Sequence, residues 1–263
     1  MTDTILITGA SGNLGRQLTR GLAAAGYTLR LTDIAPFPDP LPPSATFTQA
    51  DLVDAAAIAK LAEGCRTILH FGGISVDRPF DVVLGPNIIG LHNVYEAARA
   101  AKARVVFASS NHAIGFHERT EPLDTDCALM PDSFYGLSKA YGELMGGLYW
   151  NKHGVESVNI RIGSCFPEPV DARMLSTWLS FDDLVRLALR CVAAPRTGCC
   201  VIWGASANAR TYWRNDARAA LGWVPLDTAD VFADQMQAVV SDNPVQERYQ
   251  GGAYCAVDYS KAS

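Results

Sequence analysis

Residues 5–15 read ILITGASGNLG, and this stretch decides the fold. The apolar run 5–8 is typical of a buried strand, and a helical pattern follows over residues 14–25. A glycine-rich turn between them lets the backbone approach a pyrophosphate, with the amide groups of the helix N-terminus facing the negative charge. The spacing G-x-x-G-x-x-G departs from the more widespread G-x-G-x-x-G, but its place after the first strand favours a dinucleotide over a purely structural turn. The predicted cofactor contacts in this turn are Gly9, Ser11, Gly12, Asn13, Leu14 and Gly15.

Short apolar runs and helical patterns continue to alternate along the chain. Strands are predicted at residues 28–33, about 46–49, 67–70, 104–108 and 157–162, and helices at 54–63, about 82–102 and 133–153. Strands that alternate with helices of this length form βαβ units. We therefore predict an α/β fold with a doubly wound, Rossmann-type parallel sheet covered on both faces.

The sequence pattern changes after residue 162. A proline-containing loop is followed by short helices and an isolated strand at 199–203, and four tryptophans, at 178, 203, 213 and 223, suggest a small cap over the sheet edge. We expect one domain over residues 1–263, with a dinucleotide-binding core at roughly 1–162 and a substrate-binding cap with closing elements at 163–263. Five prolines between 35 and 43 exclude a helix or a central strand there and predict a surface loop.

Composition restricts the classes of partner and the compartment. The net charge is −5 and no block of Lys or Arg is present, which argues against nucleic acid and against an anionic membrane surface. The start of the chain lacks the features of a signal peptide, and the apolar stretches are shorter than the ~20 residues of a spanning helix. Seven cysteines without a C-x-x-C pair, and histidines without ligand spacing, predict reduced thiols, no metal and a cytoplasmic protein.

Acidic residues at two strand ends predict the adenosine end of a cofactor site. Asp33 closes the second strand, where a carboxylate accepts hydrogen bonds from the adenosine ribose and repels a 2′-phosphate, so NAD is favoured over NADP. Asp51 and Leu52 end the third strand, and the carboxylate could accept from the adenine amino group. Two alternatives remain open: Asp33 could cap the strand end, and Asp51 could be a helix N-cap.

Tyr135 and Lys139 are four positions apart on one face of a predicted helix. A tyrosine with a pKa near 10 is a poor base at neutral pH, and a nearby ammonium group favours its phenolate. Alone, such a pair usually marks a solvated helix face. Ser109 and Ser110, however, follow the fifth strand at the carboxyl edge, where open α/β sheets bind ligands.

The TGASGNLG turn, the two serines and the YGLSK segment together resemble the short-chain dehydrogenase/reductase superfamily, in its extended, epimerase/dehydratase-like branch. The resemblance covers roughly residues 4–165 and implies Tyr135 as general base, Lys139 as its activator and ribose anchor, and Ser110 as the hydroxyl-binding partner. Ser110 is preferred to Ser109 because its 25-residue separation from Tyr135 matches the longer-chain members. Phe71, Gly72 and Gly73 depart from the family's usual turn under the cofactor and are expected to contact it through the backbone.

Five further blocks resemble uronate dehydrogenases: HFGGIS at 70–75, ASSNH at 108–112, RIGSC at 161–165, RMLSTW at 173–178 and VIWGAS at 201–206. This finer resemblance implies NAD-dependent oxidation at C1 of glucuronate or galacturonate to the aldarolactone. It leaves open which of the two sugar acids is preferred.

A uronate carries one carboxylate and several hydroxyls, and the blocks contain groups that suit both. Arg173 can bind a carboxylate through two parallel hydrogen bonds, and Cys165 is expected to touch the nicotinamide side through its backbone. The predicted substrate contacts are Ser75, Ser110, Asn111, His112, Tyr135, Ser164 and Arg173. Taken singly, Arg173 could be a surface ion pair and His112 a satisfied core histidine, and His70 is interpreted as structural.

Two other functions remain possible from the sequence. A sugar-nucleotide epimerase or dehydratase belongs to the same superfamily, although only 124 residues follow Lys139 for a domain that wraps a nucleotide. A non-catalytic NAD-sensing regulator is the second alternative. The superfamily habit also predicts a homo-oligomer with the helices at about 82–102 and 134–153 in its interface.

Overall fold

The computed structural model describes residues 3–261, over which seven strands and eleven α-helical segments follow one another. The strands are β1 (Thr4–Thr8), β2 (Thr28–Asp33), β3 (Ala45–Gln49), β4 (Thr67–His70), β5 (Arg104–Ser110), β6 (Ser157–Ile162) and β7 (Cys199–Gly204). The larger helices are α1 (Asn13–Ala24), α2 (Ala55–Ala62), α4 (Gly90–Ala101), α5 (Phe134–His153) and α7 (Phe181–Ala193). Short helices are α3 (Phe80–Val83), α6 (Met174–Thr177), α8 (Arg218–Leu221), α9 (Ala233–Met236), α10 (Pro244–Arg248) and α11 (Ala253–Ala256).

All seven strands pair in parallel, in the order β3-β2-β1-β4-β5-β6-β7. The chain moves outward from β1 to β3 and then returns to β4 on the other side of β1, which creates a switch point at the carboxyl ends of β1 and β4. The predicted α/β, Rossmann-like parallel sheet is confirmed, and a helical C-terminal region follows it.

The core lies on both faces of this sheet. Ile5 and Ile7 point to the face covered by α1 and α7, whereas Leu6, between them, points to the face covered by α2, α4 and α5. Successive side chains of a strand alternate between faces, so a strand that is apolar at every position must be covered on both sides. The continuous apolar sequence of β1 therefore already implied helices on both faces.

The segment 199–204 differs from its prediction as an isolated strand. It is the seventh strand of the sheet and pairs in parallel with β6, with Ile160 opposite Ile202. An unpaired strand would leave buried backbone N–H and C=O groups without partners, and the free edge of β6 satisfies them.

The predicted helix at about 82–102 is interrupted near its start. A π-helical turn, Leu84–Ile89, lies between α3 and α4 and contains Pro86, which has no N–H to donate to the regular helical ladder. The proline-rich residues 35–43 form neither helix nor strand, as predicted.

The four tryptophans, which suggested a small cap, lie in three different surroundings. Trp203 and Trp213 stack with their ring centroids 5.0 Å apart, and Trp178 packs against Phe232 elsewhere. Trp223 joins the core cluster on the α1 and α7 face of the sheet. Their spacing in sequence carried no information about which surface each ring covers.

Within the described residues, no helix is both long and apolar enough to span a membrane.

Candidate active site

A cavity of about 930 Å³ opens at the carboxyl ends of the strands. Every residue that the sequence predicted for the cofactor or the substrate lines it: Gly9, Ser11, Gly12, Asn13, Leu14, Gly15, Asp33, Asp51, Leu52, Phe71, Gly72, Gly73, Ser75, Ser110, Asn111, His112, Tyr135, Lys139, Ser164, Cys165 and Arg173. The site is therefore continuous from the glycine-rich turn to the C-terminal region.

The glycine-rich turn forms one end of the cavity. Gly9 has φ +71° and lies so close to β4 that a Cβ atom here would be 2.5 Å from the Phe71 carbonyl group. Gly12 caps α1 without a side-chain hydrogen bond, so no side chain of the turn covers the first amide groups of the helix. A helix N-terminus of this kind suits a pyrophosphate, because the amide groups and the helix dipole both favour negative charge.

The adenosine end is bounded by acidic side chains. Asp33 accepts hydrogen bonds from the backbone N–H groups of Ser11, at 3.0 Å, and Ala35, at 3.1 Å, which fix its carboxylate at the cavity wall. The Asp51 carboxylate accepts a hydrogen bond from the Val53 N–H at 3.1 Å, whereas the N-cap of α2 is Asp54. The alternative reading of Asp51 as the N-cap is therefore wrong. The glycine-rich turn with the N-terminus of α1 suits a pyrophosphate, and the Asp33 carboxylate suits a ribose, so the two together fit a dinucleotide.

Tyr135 lies in the first turn of α5, which begins where Ser133 accepts a hydrogen bond from the Gly136 N–H at 3.0 Å. Burial raises the pKa of Tyr135 above its usual value, and hydrogen bonding to Ser110 offsets part of the rise. Lys139, one turn later, has its Nζ 5.4 Å from the centre of the Tyr135 ring. Burial lowers the pKa of Lys139 to about 8.

The expected lowering of the Tyr135 pKa by Lys139 is not found in the chain by itself. Desolvation is the largest influence on the phenol, because Tyr135 is only 8% exposed. A sequence gives the spacing of two ionisable groups but does not give their burial, and here burial outweighs the charge.

Ser109 and Ser110 have different surroundings. Ser109 donates a hydrogen bond of 2.6 Å to Glu143, which in turn forms a buried ion pair with Arg161. Ser110 ends β5 beside the Tyr135 hydroxyl, and its own hydroxyl accepts from the His112 N–H at 3.2 Å. Ser109 is thus held in the core network, which leaves Ser110 as the serine adjacent to the phenol.

Arg173 lines the cavity beside Ser164 and Gly252. Its guanidinium group donates to the Gln250 carbonyl at 3.2 Å and to the Ser164 hydroxyl at 3.4 Å, while Ser164 also bonds to Thr177. No carboxylate within residues 3–261 forms an ion pair with Arg173, so the surface ion pair is not what the structure shows. The arginine has N–H donors to spare for an anionic ligand.

Two further polar residues line the same part of the cavity. Asn111 is 1% exposed, and its side-chain Nδ2 is buried without a hydrogen-bond partner. A buried donor of this kind has a free-energy cost unless a ligand or water satisfies it. His112 bonds through Nδ1 to Asp132 at 2.7 Å, and its ring stacks on that of Tyr254.

His70 and Cys165 are both buried. His70 is buried, bonds through Nδ1 to the Thr8 hydroxyl at 2.7 Å, and burial lowers its pKa to about 3, which fits a structural residue. Cys165 is buried and burial raises the pKa of its thiol, so it is held in the unreactive protonated form. Among the described residues, no group of three or more potential ligands is arranged to hold a metal ion.

Sequence reasoning missed the part of the wall that comes from the end of the chain. Gly251, Ala253 and Tyr254 line the cavity, and Gly252 has φ +65° with a Cβ position only 2.7 Å from Arg173 Nε. A Gly-Gly pair before an aromatic residue was the available signal, because adjacent glycines often permit a close backbone approach. Nothing in the sequence, however, indicated which residue they approach.

Comparison with known proteins assigns the family. The NAD dependent epimerase/dehydratase family matches residues 5–180. This chain belongs to that family. The resemblance to extended short-chain dehydrogenases is thereby confirmed, and in this member of the NAD-dependent epimerase/dehydratase family the matched region holds both the glycine-rich turn and the Tyr135–Lys139 pair.

Similar proteins in this family align over nearly the whole chain. A uronate dehydrogenase of Pseudomonas syringae pv. tomato is 46% identical over 97% of this chain and 94% of its own length. A uronate dehydrogenase of Agrobacterium fabrum is 46% identical over 95% of this chain and 96% of its own length. The crystal structure of a mutant uronate dehydrogenase from Agrobacterium tumefaciens, complexed with NAD, superimposes with a TM-score of 0.92 at 45% identity, covering 97% of this chain and 98% of that one.

Proposed function

We propose that this chain oxidises C1 of a hexuronic acid, glucuronate or galacturonate, to the aldarolactone with NAD as the oxidant. The observation that carries the proposal is the similarity to uronate dehydrogenases, which extends beyond the cofactor-binding half to the cap that holds Arg173. A fold alone does not identify a substrate, but a cavity whose wall contains both an arginine and a tyrosine–serine pair suits a sugar acid.

The N-terminus of α1 and Asp33 would hold NAD, with the backbone of Phe71, Gly72 and Gly73 beneath it and Cys165 beside the nicotinamide. When bound, NAD supplies the acceptor for the two electrons and the hydrogen that leave C1. Asp51 and Leu52 would border the adenine. The Asp33 carboxylate favours NAD over NADP because a 2′-phosphate would meet its negative charge.

Tyr135 is the proposed general base and takes the proton of the anomeric hydroxyl as the C1–H bond breaks. Ser110 orients that hydroxyl, and the positive charge of Lys139 stabilises the phenolate as it forms. Breaking the O–H and C1–H bonds leaves a C1=O double bond, which is the lactone carbonyl of a cyclic uronate. Lys139 would also contact the ribose.

Arg173 is the proposed partner of the uronate carboxylate, through two parallel hydrogen bonds. Ser75, Asn111, His112 and Ser164 supply short polar groups for the sugar hydroxyls. The unpartnered Nδ2 of Asn111 supports this assignment, since a bound hydroxyl would satisfy it.

We also propose that the chain works as a cytoplasmic homo-oligomer, and that residues 163–263 act as the substrate-side cap of one domain. The exposed face of α5 supports the interface, because Leu137, Leu144 and Leu148 are 46%, 65% and 48% exposed and recur at helical spacing. Exposed apolar side chains on one helix face are typical of an association surface. Sedimentation of the purified protein measures this state.

Replacing Tyr135 with Phe separates an enzyme from an NAD-sensing regulator. Tyr135→Phe removes the proton acceptor and keeps the ring, so kcat should fall by about 10²- to 10⁴-fold while the Kd for NADH, followed by fluorescence, stays within about twofold. Tyr141→Phe, which changes a second tyrosine of the same helix outside the cavity wall, should leave both quantities unchanged. Full activity of Tyr135→Phe would refute the assignment of the base.

A further inference from the structure

Asp132 is a buried carboxylate that lies just behind the cavity wall. Its side chain is fully enclosed, and its Oδ2 is 2.7 Å from Nδ1 of His112. The other oxygen, Oδ1, accepts a 2.8 Å hydrogen bond from the Ser133 hydroxyl. Asp132 does not line the cavity itself, and its hydrogen bond to His112 connects it to a residue that does.

The surroundings of this carboxylate are close-packed. Added Cβ atoms at Gly115 and at Gly251 would each lie 1.9 Å from Oδ2, so neither position accepts a side chain without displacement of Asp132. The Cys255 thiol lies 3.8 Å from the same oxygen and donates mainly to the Gly115 carbonyl. The carboxylate is therefore held in one orientation.

The ring of His112 is held in one plane as well. Tyr254 stacks on it with a centroid separation of 4.0 Å and an interplanar angle of 18°, and Tyr135 meets it edge-on at 5.7 Å. With Nδ1 engaged by Asp132, Nε2 is the ring nitrogen that remains for a ligand.

We propose that Asp132 is a positioning residue that fixes the tautomer of His112, so that Nε2 faces the cavity as a hydrogen-bond acceptor. An ionised carboxylate can only accept, so the neutral ring must carry its proton on Nδ1 and leave a lone pair on Nε2. If the substrate is the proposed sugar acid, which this consequence assumes, the site selects a sugar hydroxyl that donates to Nε2. Asn111 Nδ2 and the Arg173 guanidinium can only donate, whereas Nε2 of this tautomer can only accept, so His112 complements them.

Asp132→Asn tests this with almost no change of shape. Ser133 accepts from the Gly136 N–H and has a single proton to donate, so the amide oxygen is expected to stay beside it at the Oδ1 position. The amide NH₂ group then replaces Oδ2 and faces Nδ1. Two donors cannot face each other, so the ring proton moves to Nε2 and the acceptor at the cavity becomes a donor.

The tautomer can be read directly by ¹⁵N NMR of histidine-labelled protein, with the His112 signals assigned from a His112→Gln variant. The expected result at pH 8 is a neutral ring protonated at Nδ1 in the wild type and at Nε2 in Asp132→Asn. A wild-type ring protonated at Nε2, or at both nitrogens, would overturn the proposal. This measurement needs no substrate, so it stands or fails independently of the proposed function.

Kinetics then test the consequence for the substrate. Asp132→Asn should raise the KM for the uronate about 10-fold, the loss of about one hydrogen bond, and leave the Kd for NADH unchanged. Asp126→Asn, in the same segment but exposed, removes the same charge and should leave the KM unchanged. In a His112→Ala background, Asp132→Asn should have no further effect on KM. An equal effect with and without His112 would contradict a role that acts through the ring.

Discussion

At the scale of single residues, Arg173 is the group on which recognition of the carboxylate depends. Arg173→Lys keeps the charge and loses the planar fork, so the KM for uronates should rise about 10- to 150-fold, the range expected for hydrogen bonds to a charged group. Steady-state rates of NADH formation against uronate concentration measure the change.

Arg214→Lys is the matched control, because Arg214 is exposed and lies outside the cavity wall. It should leave the KM unchanged. If Arg173→Lys bound uronates as tightly as the wild type, the carboxylate would have to lie elsewhere in the cavity.

Some site residues could be predicted because a local motif carries their chemistry. The four-residue spacing of Tyr135 and Lys139 places both on one helix face, and that spacing is visible in any sequence. Tyr254 could not be predicted, because it meets His112 only after the chain end, more than 100 residues away, has folded back over the sheet. Asp132 is nearer in sequence, but no local motif indicates that its carboxylate bonds to Nδ1 of His112. Burial, which raises the pKa of Tyr135 in the chain by itself, is likewise invisible in sequence.

At the scale of elements, Asp33 connects the end of β2 to the glycine-rich turn before α1, because its carboxylate accepts a hydrogen bond from the Ser11 N–H. Asp33→Asn removes the charge that repels a 2′-phosphate, so the ratio of kcat/KM with NAD to that with NADP should fall about 10-fold. The hydrogen bond from the Ser11 N–H fixes the position of the Asp33 carboxylate. In Asp33→Asn this bond is kept only if the side-chain amide oxygen takes the place of Oδ2. Parallel assays with the two cofactors give the ratio.

Asp54→Asn serves as the control for this change. Asp54 caps α2, asparagine caps equally well, and the residue lies outside the cavity wall, so the ratio should not move. An unchanged ratio in Asp33→Asn would show that cofactor choice lies with other residues.

Element order was predictable up to β6 because most strands there are short apolar runs separated by helical patterns, and the one exception, between β2 and β3, is a proline-rich loop. The last third was less so. The segment 199–204 follows α7, but short irregular segments come after it, and only its pairing with β6 identifies it as part of the sheet. The π-helical turn contains Pro86, but the proline alone did not indicate that helical structure continues on both sides of it.

At the scale of the whole molecule, the buried ammonium of Lys139 should reduce stability. Its pKa is about 8 in the fold against 10.5 when exposed, so folding disfavours the protonated form by about 3 kcal/mol. Below pH 8 both states are protonated and the cost is complete; between about pH 8 and 10.5 the folded state releases its proton and the cost disappears.

Lys139→Met should therefore be more stable than the wild type at pH 7, with a difference that vanishes toward pH 10.5, while its activity is lost. Urea unfolding of both proteins across this pH range checks the prediction. Lys102→Met, at the C-terminus of α4 and outside the cavity wall, is a control for the loss of a lysine and should show no such pH trend. A wild type that is more stable than Lys139→Met at pH 7 would mean that other interactions of Lys139 outweigh the cost of burying its charge.

A comparison of uronates with neutral sugars as substrates is the most direct test of the proposed uronate oxidation. NADH formation should be measured with glucuronate and galacturonate and, at the same concentrations, with the neutral sugars glucose and galactose. We expect turnover of at least one uronate and little turnover of either neutral sugar, because only the uronates carry a carboxylate for Arg173. Equal rates with uronates and neutral sugars, or no turnover of any of them by protein that binds NADH, would contradict it.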